Sequence, residues 1–283
     1  MSKLSICHDP IHYSRAVSAY EGNSNVREVD MDWWRNTMPG VITKAASSGP
    51  FRVLAVGAGN GQPFDEELLN ILCAAQKHIV YTVVEPSPTA LKEFKDFVKN
   101  KYSSVEFKWF CATFQDFQDK EVVSDHYNLI HFVHSVYYIS SSEVELRERL
   151  RRCYKELLHT GGAMVITAHS YKGKSCLPPM EGLWWIAKCN KILQFATDEG
   201  WKVEADEGKY KVDASLCFDE TSEEGNFLLD FVTRTKNYRQ VATKEQIEKT
   251  FRYIQEQTDC ESKVVYPCII DLTTIWKESV SQQ

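Results

Sequence analysis

A cluster of glycines, one acid and one histidine carry the chemical signals of this chain. Val56-Gly57-Ala58-Gly59-Asn60-Gly61 directly follows the short apolar run Arg52–Val56 and precedes the amphipathic stretch Phe64–Lys77. Glycine tolerates positive φ and lets a ligand approach the backbone, so strand, glycine turn and helix in this order form a cradle. A dinucleotide fingerprint would place its third glycine at position 62, but Gln62 stands there and the spacing is G-x-G-x-G. A pyrophosphate gains from a helix N-terminus, whereas a sulfonium nucleoside carries none and is served by a tighter, differently placed turn. Glu85 closes the next apolar run, Ile79–Glu85. A carboxylate at that strand end can accept hydrogen bonds from both ribose hydroxyls. Pro86 behind it withholds a backbone donor and favours a turn.

His134 follows a further apolar run, Tyr127–Val133. The carboxyl ends of the strands are where open α/β sheets hold their ligands, which favours a site role for His134, with Ser135 as a weaker neighbour. An imidazole titrates near 6.5, so a histidine there can accept a proton or hydrogen-bond a ring nitrogen. His8 and His12 stand four apart, but Pro10 lies between them and no third ligand is apparent, so no metal site is expected.

Positioning these groups requires an alternating framework, and the sequence supplies one. After the strands and helix above come a helical stretch Thr89–Tyr102, a strand Val105–Phe110, a long charged helix Glu143–His159 ended by Gly161-Gly162, and a strand Ala163–His169. Residues 1–50 have helical texture, with Tyr13, Val17 and Tyr20 at i, i+4 and i+7. Beyond Ser170 the regularity weakens: Lys172–Pro179 and the acidic Asp219–Asn226 read as loops and Leu183–Gly200 as a helix. Tyr210–Phe218 and Val264–Trp276 read as late strands that pair antiparallel, with helical texture at Lys244–Gln257 between them. One domain is expected over 1–283: a helical cap at 1–50, a cofactor-binding core at 51–170, and substrate-region insertions with closing strands at 171–283.

Composition narrows the partners. The chain has 283 residues, 43% hydrophobic and 25% charged, with a net charge of −6, an ordinary globular balance that disfavours nucleic acid as a partner. Its nine cysteines are scattered without a C-x-x-C pair, which speaks against zinc and against a disulfide scaffold. Cys111 and Cys268 lie in apolar runs, where a thiol behaves as a small hydrophobe. The N-terminus has no leader-like apolar core and no run is long enough for a membrane span, so a reduced, cytoplasmic monomer is expected.

Taken together, Val53–Gly61, Val84-Glu85-Pro86-Ser87 and Leu157-Leu-His-Thr-Gly161-Gly162 before a strand resemble the class I S-adenosylmethionine-dependent methyltransferases. Met38-Pro-Gly-Val-Ile42, Val133-His-Ser-Val-Tyr-Tyr-Ile139 and Leu228-Leu-Asp-Phe231 narrow the resemblance to the histamine N-methyltransferase-like branch, over residues 13–276. The resemblance implies a Rossmann-like fold: a mostly parallel seven-stranded sheet with helices on both faces and a smaller helical substrate region. It implies S-adenosylmethionine as cofactor, held by Gly57, Gly59, Gly61 and Glu85. Ala90 and Phe114 stand on the ribose–adenine side, Thr113 is the candidate hydroxyl there, and Val133 flanks the adenine or methionine part. Three polar substrate positions of the branch differ in this chain: the glutamate position falls on Val26 with Glu28 two residues on, the glutamine position on His134, and the asparagine position on Cys268.

Methyl transfer is an in-line displacement by a neutral nitrogen lone pair, so its site must orient the nucleophile and keep it unprotonated. Aromatic walls serve that purpose. Tyr13, Tyr137, Tyr138 and Trp184 are candidates to stack on an imidazole or an amine cation, each contact worth ~0.5–2 kcal/mol, while Trp185 cannot share Trp184's helix face. The expected reaction is N-methylation of a small imidazole or amine, with an imidazole dipeptide of the carnosine type as the rival acceptor. A cofactor-binding paralogue without activity is the third alternative, and Gln62 disfavours a nicotinamide enzyme.

Overall fold

The computed structural model describes residues 9–76, 78–120, 126–170, 191–256, 258 and 265–278. The chain divides into two compact units, each described by itself. The larger comprises Met31–His169, Trp185–Glu207 and Asp271–Gln283; the smaller comprises Met1–Asp30, Ser170–Trp184 and Gly208–Ile270.

Five parallel strands form the heart of the larger unit: β1 (Phe51–Val56), β2 (Ile79–Val84), β3 (Val105–Phe110), β4 (Tyr127–Val133) and β5 (Leu158–His169). With β6 (Lys202–Asp213) and β7 (Val265–Trp276) they make a seven-stranded sheet in the order β3-β2-β1-β4-β5-β7-β6. β7 runs antiparallel to β5: Gly161 N–H donates to Lys277 O at 2.7 Å, and Ser170 N–H donates to Ile269 O at 2.8 Å. The fold class expected from the sequence is the one found.

The strands read as near-continuous apolar runs because helices cover both faces of the sheet. One face carries α2 (Val26–Ala45), α3 (Phe64–Ala75) and α4 (Pro88–Val98), whose Trp34, Met38, Ile42, Leu68, Leu72 and Phe94 pack on Val53, Tyr81 and Leu129. The other carries α5 (Phe114–Lys120), α6 (Glu143–Arg152) and α7 (Ile192–Asp198), with Leu146, Leu150, Phe195 and Trp201 against Leu54, Ile130 and Ile166. In the smaller unit α1 (Pro10–Gly22) packs with α8 (Glu223–Thr233), and the Tyr20 and Tyr210 hydroxyls meet at 2.6 Å. α9 (Tyr238–Val241) and α10 (Lys244–Glu256) complete it.

Three expected boundaries move. The charged helix stops at Arg152 and passes through a wider turn, Cys153–Leu157, so β5 begins at Leu158, before the glycines. The cause is pairing with the end of β7: Gly161 and Gly162 exchange main-chain bonds with Lys277, whose ammonium also caps the Lys155 and Leu158 carbonyls at 2.9 and 2.8 Å. The acidic stretch 219–226 is only half a loop. Ser222 caps α8 by accepting Gly225 N–H at 2.9 Å, which puts Glu223 and Glu224 in a first helical turn, where negative charge is favoured. Finally, β6 starts earlier than expected, at Lys202, and ends at Asp213, with Ser215–Phe218 a tight helical turn. Lys172–Pro179 and residues 183–190 of the expected helix Leu183–Gly200 lie outside the described residues, and α7 occupies Ile192–Asp198 of the remainder. Among the described residues no helix is long and apolar enough to cross a membrane.

Candidate active site

Sheet order sets the geometry of the site. From β1 the chain moves outward to β2 and β3, and from β4 it moves the other way to β5, so a crevice opens at the carboxyl ends of β1 and β4. Along that edge stand, in spatial order, Glu85 after β2, the glycine turn after β1, His134 after β4 and His169 at the end of β5.

Gly57, Gly59 and Gly61 have φ of +66°, +58° and +78°, yet their surroundings differ. A Cβ on Gly57 would lie 2.5 Å from the Ser135 Cβ, and one on Gly61 would meet the Phe94 ring at 2.5 Å. Gly59 has nothing within 4 Å. Two glycines are therefore packed against neighbours, while the middle one presents bare backbone to open space. Glu85 fixes that turn: its Oε2 accepts Gly59 N–H at 2.9 Å and its Oε1 accepts Ser87 N–H at 2.8 Å. The carboxylate is 7% exposed. Burial pushes its pKa up, opposed by the two N–H donors and assisted by the charge of Asp65. Each oxygen keeps lone-pair capacity for a second donor.

His134 adopts the left-handed region at φ +49°, uncommon for a residue with a side chain. Its N–H donates to Thr167 O at 3.0 Å on β5. Ser135 is buried and its hydroxyl donates to Val56 O at 2.5 Å. The helical turn Val136–Tyr138 then brings the Tyr137 hydroxyl to 3.4 Å from His134 Nδ1, and the same oxygen accepts the His169 N–H at 2.5 Å. The His134 and His169 rings lie 4.8 Å apart, and the His169 and Tyr137 rings are near parallel. His169 was missed by sequence reasoning. Register would have found it, because Val133 pairs with Thr167 and the next residues out on both strands reach the same edge.

The other candidates take varied positions. Val133 is half-buried against the core. Phe114 is 4% exposed and meets Phe132 edge to face at 5.5 Å, a core contact on the sheet. Thr113 is exposed and caps α5, accepting Asp116 N–H at 3.1 Å and donating to Asp116 Oδ2 at 2.8 Å. Tyr138 is 38% exposed and Tyr137 is buried. Tyr13, Glu28 and Cys268 belong to the smaller unit, where they are half-buried, exposed and buried respectively; Trp184 and Trp185 lie outside the described residues. Cys111, expected as a small hydrophobe, is exposed, because it follows the last ladder pair of β3 at Phe110. His12 donates from Nε2 to Asp230 Oδ2 at 2.7 Å, and His8 lies outside the described residues. Asp230, from the Leu228-Leu-Asp-Phe231 motif, also accepts Asn237 and Tyr238 N–H, both at 2.7 Å, so it anchors the turn before α9.

No protein-family model matches the chain. It is 24% identical to histamine N-methyltransferase of Cavia porcellus over 84% of this chain and 85% of that one. With carnosine N-methyltransferase 2 of Gallus gallus it shares 21% identity over 80% of this chain and 73% of the relative. The chain is thus similar to histamine N-methyltransferases over most of its length. Among solved structures, a Bacillus halodurans C-125 protein crystallised as a candidate methyltransferase matches with a TM-score of 0.50 at 12% identity, covering 86% of this chain and all of that one. That likeness concerns the fold alone.

Proposed function

We propose that this protein is an S-adenosylmethionine-dependent N-methyltransferase whose acceptor is a nitrogen of a small imidazole or amine. The observation that carries this reading is Glu85, buried and clamped between Gly59 N–H and Ser87 N–H, beside the glycine of the Gly57–Gly61 turn that has open space at its Cα. The residues fit a ribose-bearing ligand without a pyrophosphate. Glu85 receives the two ribose hydroxyls, and Gly59 allows close approach to the backbone. When bound, the cofactor supplies an electrophilic methyl group on a sulfonium.

The acceptor end is assigned to His134, Tyr137 and Tyr138. The acceptor nitrogen that takes this methyl would become cationic, and a proton would leave from that same nitrogen in an amine or from the second ring nitrogen in an imidazole. Nδ1 of His134 lies 3.4 Å from the Tyr137 hydroxyl, and the imidazole is assigned the role of receiving that proton or holding the acceptor's second ring nitrogen. Tyr137 and Tyr138 contribute ring faces that orient the acceptor and favour its positive charge. A carnosine-type dipeptide is the second reading, supported by the similarity to the chicken carnosine enzyme. Radiolabelled methyl transfer to histamine, carnosine and a panel of biogenic amines tests both. Label on a nitrogen of an imidazole or amine supports the reading, and label confined to oxygen acceptors or nucleic acid contradicts it.

A further inference from the structure

The ladder between β1 and β4 stops at Ala55–His131, so the carbonyl of Val56 lies one residue beyond it. The Ser135 hydroxyl takes that carbonyl at 2.5 Å. On the same side chain, Ser135 Cβ occupies the place where a Gly57 side chain would be. Ser135 is 6% exposed, so this contact is part of the packed interior and has no slack to absorb a shift. Directly before it, His134 is held at positive φ by its bond to Thr167 O, and directly after it the turn carrying Tyr137 begins, with Tyr138 N–H donating to Ser135 O at 3.0 Å.

Resting on the reading above, we infer that Ser135 is a positioning residue that couples the cofactor turn to the acceptor-side residues His134 and Tyr137. A ligand seated on Gly59 and Glu85 stiffens the turn two residues from Gly57. The Gly57–Ser135 contact and the Ser135–Val56 bond pass that restraint to the bend, so the acceptor side is most ordered when the cofactor is in place. The order of events follows: cofactor first, acceptor second.

Hydrogen exchange on the full-length protein, with S-adenosylhomocysteine as the probe and calorimetry to measure its binding, tests the coupling. In wild type the probe should slow exchange of the His134 and Tyr138 amides by about fivefold or more. In Ser135→Ala, which keeps the Cβ beside Gly57 but loses the bond to Val56 O, the probe should bind within about twofold of wild type while those two amides gain clearly less protection from it than in wild type. A purely structural serine would speed their exchange in the free protein and leave the probe's effect intact, which would overturn the inference. So would wild type that binds the probe without protecting them. Ser135→Cys, close in volume, serves if the alanine variant does not fold, and is read by the same criterion. Absence of calorimetric binding to wild type would instead remove the cofactor reading, and this inference with it.

Discussion

Gly57 and Ser135 are complementary: the space that a side chain on Gly57 would fill is occupied by the serine's own Cβ, which a Cβ on Gly57 would meet at 2.5 Å. The three glycines of the turn consequently do different work, and alanine substitution separates them. Gly59→Ala should cost about 1 kcal/mol in stability, from the left-handed backbone alone, while lowering affinity for S-adenosylhomocysteine. Gly57→Ala and Gly61→Ala add a clash with Ser135 or Phe94 to the same strain and should cost more, about 2–4 kcal/mol. Thermal unfolding and calorimetry on the three variants check the separation. Equal losses of stability at all three sites would refute it.

Glu85 should make cofactor binding fall with acid. Its carboxyl is pushed above the usual range by burial, so it takes up a proton at a higher pH than an ordinary glutamate. A protonated carboxyl cannot accept two ribose hydroxyls as well as two N–H groups. Affinity should therefore be full above the folded pKa and decline as pH falls through it. The sign for stability is opposite: a carboxyl whose folded pKa is raised favours the fold when protonated, so this group's contribution improves in the same acid range. Glu85→Gln should flatten the binding profile, and an unchanged acid limb in that variant would assign the titration to another group.

His134 is predicted to set the choice of acceptor. His134→Gln should lower the rate and change the order of preferred acceptors, read as kcat/KM across imidazoles and amines, while S-adenosylhomocysteine still binds. The same rate and the same order of preferred acceptors in the variant would make His134 a structural residue.

In the smaller unit, Asp230 holds three partners, two of them main-chain N–H groups. Asp230→Ala leaves buried donors unpaired and should destabilise by about 2–4 kcal/mol. Thermal unfolding followed near Tyr238 should show the loss, and Asp230→Asn should recover part of it. Wild-type stability in the alanine variant would remove its anchoring role.

The framework was legible in the sequence because its signals are local: apolar runs that become buried strands, a glycine turn at the expected place, and Glu85 at a strand end. The features that escaped depend on pairing between distant segments. Lys277 draws Leu158–Gly162 into the sheet, and nothing near Gly161 in sequence announces that partner. His169 looked like an ordinary strand terminus until register placed its ring 4.8 Å from His134. Asp230 belonged to a motif that pointed to a family but not to a role, since its three partners come from α1 and from residues seven and eight positions on. Thr113 carries a hydroxyl suited to a ligand, yet the structure uses it as a helix cap.

The central claim is that the Gly57–Gly61 turn and Glu85 form a site for a sulfonium nucleoside. Calorimetric titration of S-adenosylhomocysteine into wild type and Glu85→Ala, with NAD as a control ligand, tests it most directly. Loss of two charge-assisted hydrogen bonds is worth about 2–3 kcal/mol, so the variant should bind some 30- to 150-fold more weakly, and NAD should not bind either protein. Undiminished affinity in Glu85→Ala, or binding of NAD in preference to S-adenosylhomocysteine, would contradict the account.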